Sequence, residues 1–187
     1  MPDYRRWYVP GGSYFFTVVT ASRRPILADD LGRRCLHEAI AETRVEKPFE
    51  LFAIVLLPDH LHSVWNLPPG DDDFSSRWAD VKAAFTKKYL AGGGTEAPIS
   101  ASRRKKGERG VWQRRFWEHV IRDADELKRC VDYVHINPLK HGLVTQVRDW
   151  RWSTFHRFVE QGEYSENWGA GIEIPHDPDV FGSDEFL

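Results

Sequence analysis

Phe49-Glu-Leu-Phe-Ala-Ile-Val-Leu-Leu-Pro-Asp-His-Leu-His-Ser-Val-Trp-Asn66 is the stretch whose reading decides the fold. Its first nine residues are a nearly continuous apolar run, which suits a strand buried on both faces. Pro58-Asp59 is a turn signal. From His60 onward polar and apolar residues alternate, the pattern of a strand with one polar face. So short a connection cannot carry a parallel crossover, so the two strands form an antiparallel hairpin.

Working outward, Tyr14-Phe-Phe-Thr-Val-Val-Thr20 is aromatic and β-branched and reads as a further strand. Between it and the hairpin a helix is expected over residues 31–46. Leu31, Cys35, Leu36, Ala39, Ile40 and Thr43 recur at helical spacing there, Asp29-Asp30 offers an N-cap, and Pro48 closes the segment. A second helix is expected over residues 75–90, with Trp78, Val81, Ala84, Phe85 and Tyr89 on one side and Lys82, Lys87 and Lys88 as cationic positions. Residues 91–110, with three consecutive glycines, read as a long loop. Residues 111–121 read as a strand. A helix from Asp123 to about Asn137 follows, with Leu127, Cys130, Val131 and Val134 as its apolar stripe and Pro138 as its stop. A short helix is expected over residues 153–161. The order is that of an α+β fold, an antiparallel sheet of four or five strands with helices packed on it. It forms a single domain over residues 1–161, followed by an acidic tail over 162–187.

Composition narrows the class. The chain has 187 residues, 41% of them hydrophobic and 29% charged, enough for one sizeable core and against disorder. There is no run of 18 apolar residues to span a membrane, and the first residues lack the apolar stretch of a secretory signal. Two cysteines, Cys35 and Cys130, make neither a disulfide framework nor a cysteine-based zinc site. A cytoplasmic chain with free, buried thiols is the expectation. The net charge of −2 conceals an asymmetry. Residues 1–76 sum to −3, residues 77–140 to +7 and residues 141–187 to −6. A basic middle suits a polyanion partner, and solvated surface charge is the plainer alternative.

Two constellations carry chemistry. His60 and His62 lie two apart on a strand, so both imidazoles point to one face and Leu61 to the other. Paired neutral imidazoles can share a divalent cation. Tyr133 and Asn137 lie four apart on a helix and share a face. A tyrosine hydroxyl can attack phosphorus, and an amide carbonyl suits Mg²⁺ or Mn²⁺. Each pair taken alone also fits ordinary packing or capping. Together they meet the needs of transesterification at a DNA phosphate: His60, His62 and Asn137 for a metal, and Tyr133 as a nucleophile one turn away.

Leu57-Pro-Asp-His-Leu-His62 resembles the His-hydrophobic-His core of the HUH endonucleases. Tyr133-Val-His-Ile-Asn-Pro-Leu-Lys-His-Gly-Leu-Val144 is similar to the tyrosine-helix signature of their single-tyrosine transposase branch. Tyr8-Val-Pro-Gly-Gly-Ser-Tyr-Phe-Phe-Thr17 and Trp112-Gln-Arg-Arg-Phe-Trp-Glu-His119 resemble the REP-associated tyrosine transposases in particular. The matches run in order over about residues 8–155. The resemblance implies a ferredoxin-like HUH sheet with the histidines on a central strand. It implies Mg²⁺- or Mn²⁺-dependent cleavage and rejoining of single-stranded DNA beside a REP-like hairpin, through a covalent 5′-phosphotyrosine. It assigns the metal to His60, His62 and Asn137 and the nucleophile to Tyr133. Relatives that move as insertion sequences exchange the tyrosine helix between two subunits; for this branch a monomer is the expectation.

For DNA contact the candidates are Arg103, Arg104, Lys105 and Lys106, then Arg114 and Arg115, with Lys140 as a further cation for phosphate charge. Trp112, Phe116 and Trp117 alternate with arginines, as base-stacking faces or as core. Asp59 reads first as a turn residue and second as a support for His60. His135, on the far side of the helix from Tyr133, reads as structural. A free tyrosine ionises near pH 10, and no general base is evident. Two other readings stay open: a catalytically silent binder of hairpin or single-stranded DNA, and a metallohydrolase working through a metal-bound water.

Overall fold

The computed structural model describes residues 6–171, so residues 172–187 of the expected acidic tail lie outside the described residues. Four strands form one antiparallel sheet in the order β2-β3-β1-β4: β1 (Ser13–Val19), β2 (Glu50–Leu56), β3 (His60–Asn66) and β4 (Trp117–Ile121). The register sets Thr17 opposite His62 and Val19 opposite His60. Alternation then sorts the side chains into two layers. Tyr14, Phe16, Val18, Leu61 and Trp65 face α1 (Asp30–Glu46) and α2 (Phe74–Ala91). Phe15, Ala53, Val55 and Val64 face α4 (Ala124–Lys140).

The first layer is an aromatic core. Trp65 is stacked between Phe49, at 4.0 Å, and Trp78, at 4.2 Å. Arg77 is buried beside it, and its guanidinium donates to both carboxylate oxygens of Asp71 and to the carbonyls of Lys47, Pro48 and Asp73. A buried charge needs that many partners, and here they tie two loops to α2.

Each long helix starts on an aspartate. Asp29, Asp73 and Asp123 accept from the backbone N–H three residues on. Glu126, in the first turn of α4, reaches back to the Arg122 N–H at 2.6 Å. Cys35 and Cys130 are both buried. No helix among the described residues is long and apolar enough to cross a membrane.

Three sequence expectations are corrected. The strand expected over 111–121 begins only at Trp117. Residue 112 makes an isolated bridge to Thr20, then the chain leaves the sheet where Lys82 takes the Gln113 carbonyl and Phe116 turns in against Phe16 and Trp78. The loop over 91–110 contains a short helix, α3 (Ala101–Lys105), capped by Ser100. Pro138 does not stop α4, which continues to Lys140. The missing proline N–H costs one bond, and the end is closed instead by a Schellman motif. Gly142 (φ +65°) donates to the Leu139 carbonyl and Leu143 to that of Pro138. The last helix, α5, spans Phe155–Glu160. Beyond it residues 162–171 form turns, from which Tyr164 and Trp168 pack on Ile136, Val147 and Phe155.

Candidate active site

His60 and His62 stand at the start of β3 on the face that α4 covers, their rings 5.0 Å apart and nearly perpendicular. Both are buried. His62 Nδ1 lies 2.8 Å from Thr17 Oγ1, its cross-strand partner. His60 Nδ1 lies 2.6 Å from Asp59 Oδ1. Burial works to raise the Asp59 carboxyl, but the hydrogen bonds and charge of His60 and Arg23 outweigh it and hold Asp59 at about 2. An ionised carboxylate only accepts, so His60 Nδ1 is the donor in this pair. His62 is pushed well below the ordinary imidazole range, first by burial and then by His60, His141 and Lys140, with the adjacent Asn137 opposing. It is neutral, as a metal ligand must be.

Tyr133 and Asn137 descend on this pair from α4. The Tyr133 ring is edge-on to His62 at 5.3 Å and to Phe15 at 5.9 Å. Phe15 in turn stacks on His62 at 5.5 Å, so all three are packed as one unit. Asn137 is fully buried, its Nδ2 donating to the Tyr133 carbonyl at 3.5 Å while Oδ1 finds no partner. His60 Nε2 and His62 Nε2 are likewise buried without a partner. Buried polar atoms left without a partner cost roughly 1–3 kcal/mol each, so three gathered in one place call for a use. Two imidazole nitrogens and an amide oxygen fit a divalent cation such as Mg²⁺ or Mn²⁺. No cluster of three His, Cys, Asp or Glu side chains forms a metal site among the described residues. The amide is what distinguishes this set.

Lys140, expected only as a cation for phosphate charge, and His141, which sequence reasoning missed, both stand beside the site because the helix runs through Pro138. Lys140 Nζ lies 3.1 Å from Tyr133 Oη and 5.0 Å from the ring centre. His141, the C-cap, sets its ring 5.1 Å from His60. Gly142, read as a Schellman glycine, was the signal that extends the helix by a turn and gives both a direction. Asp59 is both the turn residue and the partner of His60. His135 lies away from the site, its Nε2 3.0 Å from Thr154 Oγ1.

The other cations fall elsewhere. A groove of about 770 Å³ runs between α2 and residues 103–114, lined by Lys82, Lys87, Arg103, Arg109 and Arg114. Arg103 also pairs with Glu108 at 2.7 Å. Burial, then nearby Arg6, pushes Lys82 down to about 8. Arg104, Lys105, Lys106 and Arg115 are exposed and do not line it. Trp112 is core, against Phe85 at 4.8 Å; Phe116 is half-buried among Phe16, Phe74 and Trp78. The groove and the histidines occupy opposite layers but the same end of the sheet: Thr20 bridges Trp112 and donates its N–H to the Asp59 carbonyl.

Fold and site define a single-domain α+β protein in which a His-Leu-His strand faces a tyrosine helix. No family model matches the chain. Among curated proteins, a REP-associated tyrosine transposase of Escherichia coli (strain K12) is 43% identical over 172 residues, 92% of this chain and 93% of that protein. A Haemophilus influenzae relative ascribed to the same family is 40% identical over 181 residues, 96% of this chain and 100% of its own. The solved structure of a REP-associated tyrosine transposase bound to a REP hairpin superposes with a TM-score of 0.78 at 40% identity, covering 96% of this chain and 97% of that one. The chain belongs to the REP-associated tyrosine transposases, the family its motifs resemble.

Proposed function

We propose that this transposase cuts and rejoins single-stranded DNA beside a REP-like hairpin, with Tyr133 as nucleophile and Mg²⁺ or Mn²⁺ held by His60, His62 and Asn137. The observation that carries the reading is the packing of the Tyr133 ring on His62 beside three buried, partnerless ligand atoms. The cation would polarise the scissile phosphate and bear part of its charge. The chain's own residues do the rest. Phe15 and His62 wedge the phenol so that Oη is presented in one direction. Asp59 and Thr17 orient the imidazoles. Attack by Oη on phosphorus forms the 5′-phosphotyrosine as the bond to the 3′ oxygen breaks. Reverse attack by a 3′-hydroxyl restores the phosphodiester, with no other energy source. Nucleophile and ligands sit in one chain, which supports action as a monomer.

The hairpin substrate rests on the similar transposase solved with a REP hairpin. Here the basic groove and exposed Arg104, Lys105, Lys106 and Arg115 supply phosphate contacts. The test is incubation with Mn²⁺ and a 5′-extended hairpin, followed by denaturing electrophoresis. A covalent protein–DNA band is expected, and Tyr133→Phe removes it. Hairpin binding without any band would favour a silent regulator, and cleavage that survives Tyr133→Phe but not His60→Ala a metal-bound water.

A further inference from the structure

Tyr133 and Lys140 are seven residues apart, two turns of helix, and so share a face of α4 only because the helix runs through Pro138. The half-buried Lys140 side chain lies back along that face, its ammonium 3.1 Å from Oη and over the ring. An ammonium donates and never accepts, so the contact places a positive donor on the phenol oxygen itself. A contact of this kind on an exposed tyrosine would contribute little. Tyr133 is 1% exposed, where water screens the charge poorly.

We propose that Lys140 is a catalytic residue whose ammonium carries the negative charge of Tyr133 Oη in both directions of strand transfer, an inference that rests on the tyrosine-nucleophile reading. In cleavage the phenol gives its proton to water, the Oη–P bond forms, and the P–O3′ bond breaks with its electron pair on O3′, which takes up a proton. Lys140, its Nζ 3.1 Å from Oη, donates to that oxygen as the Oη–P bond forms. In rejoining, O3′ loses a proton to water and attacks, the P–Oη bond breaks, and the electron pair returns to Oη beside the same ammonium. One cation thus lowers both barriers, where a lysine that merely neutralised DNA phosphate would act on hairpin affinity.

The experiment compares wild type, Lys140→Met, Lys140→Arg and Tyr133→Phe as full chains, with Mn²⁺ and the same 5′-extended hairpin. It reads the single-turnover rate of adduct formation, the rate at which a free 3′-hydroxyl strand releases purified adduct, hairpin affinity, and melting temperature. Losing a donor aimed at a developing oxyanion lowers a rate roughly a hundredfold. Lys140→Met is expected to lose about that much in both directions at unchanged hairpin affinity, and Lys140→Arg to recover most of it. Lys140→Gln replaces the Met variant should that one melt early. Wild-type rates in the Met variant, or a loss confined to hairpin affinity, overturn the proposal. If wild type forms no adduct, the nucleophile reading fails and this proposal with it. If wild type forms an adduct that Tyr133→Phe removes and Lys140→Met leaves at full rate, only the role of Lys140 fails.

Discussion

His60 and His62 are each held at Nδ1, by Asp59 and by Thr17, and so present Nε2 to the same buried space as the Asn137 oxygen. Two measurements follow from that arrangement. A cation that binds only the folded chain stabilises it by mass action, so Mn²⁺ should raise the melting temperature, chelator should lower it again, and neither should affect His60→Ala. Asp59→Asn and Thr17→Val leave the ligands in place but loosen their aim. Each should weaken Mn²⁺ affinity, measured by calorimetry, by about 10- to 100-fold. Unchanged affinity in both would mean that the rings are oriented by packing on Phe15 and Tyr133 alone.

At the scale of elements, α4 matters most, since it delivers Tyr133, Asn137, Lys140 and His141. Its C-terminal closure depends on Gly142 at φ +65°, a conformation that costs an L side chain about 1 kcal/mol. Gly142→Ala should therefore lower stability by about that amount in urea unfolding, and should slow the cleavage reaction more than this loss explains, because the last turn carries Lys140. The other face of α4 is tied to the sheet edge through His135. Thr154 Oγ1 accepts from the Ile54 N–H, donates to the Ile54 carbonyl and accepts from His135 Nε2–H. Burial, then the charges of Arg157 and His156, pushes His135 down to about 3. The unfolded chain therefore binds this proton more readily than the folded one. The contribution is fully present above the ordinary imidazole value of about 6.5 and is lost as pH falls from there towards 3. His62 and His141 shift in the same direction. Unfolding free energy should fall between about pH 7 and about pH 5, and less steeply in His135→Phe. An equal slope in the variant would remove His135 from the acid sensitivity.

Taken whole, the molecule is nearly neutral, and it offers a basic surface to a polyanion only because its charge is segregated. The +7 of residues 77–140 is concentrated on α2, α3 and the segment before β4, which border one groove at the histidine end of the sheet. Affinity for a hairpin should fall steeply with salt, since each neutralised phosphate releases counterions. Arg114→Ala should weaken binding evenly across hairpin sequences and reduce the slope of log affinity against log salt by about 1, read by fluorescence anisotropy. An unchanged slope would take the groove out of the DNA path.

Most elements were legible because local chemistry enforces them. The apolar run and the alternating run around Pro58-Asp59 form the hairpin, and period-two alternation alone puts His60 and His62 on one face; their burial is the reverse of the expectation, because β2 lies half-buried at the sheet edge while β3, between β2 and β1, is buried on both faces. The aspartate caps mark where the helices start for the same reason. The residues of the site were named from spacing, backed by the family resemblance. What the sequence left open were the places where a distant segment decides. Pro138 is a helix breaker by its own covalent structure, yet α4 continues because the packed sheet and a glycine-closed end offset one missing hydrogen bond. Residues 113–116 have strand composition, but after the Gln113 N–H bonds to the Val19 carbonyl of β1, Lys82 of α2 takes the Gln113 carbonyl and Phe116 turns in against Trp78. The contacts of Lys140 with Tyr133 and of His141 with His60 depend on that added turn. Spacing along a chain sets which residues share a face; only packing between chain segments far apart in sequence sets which faces meet, and the chemistry proposed here lies where two of them do.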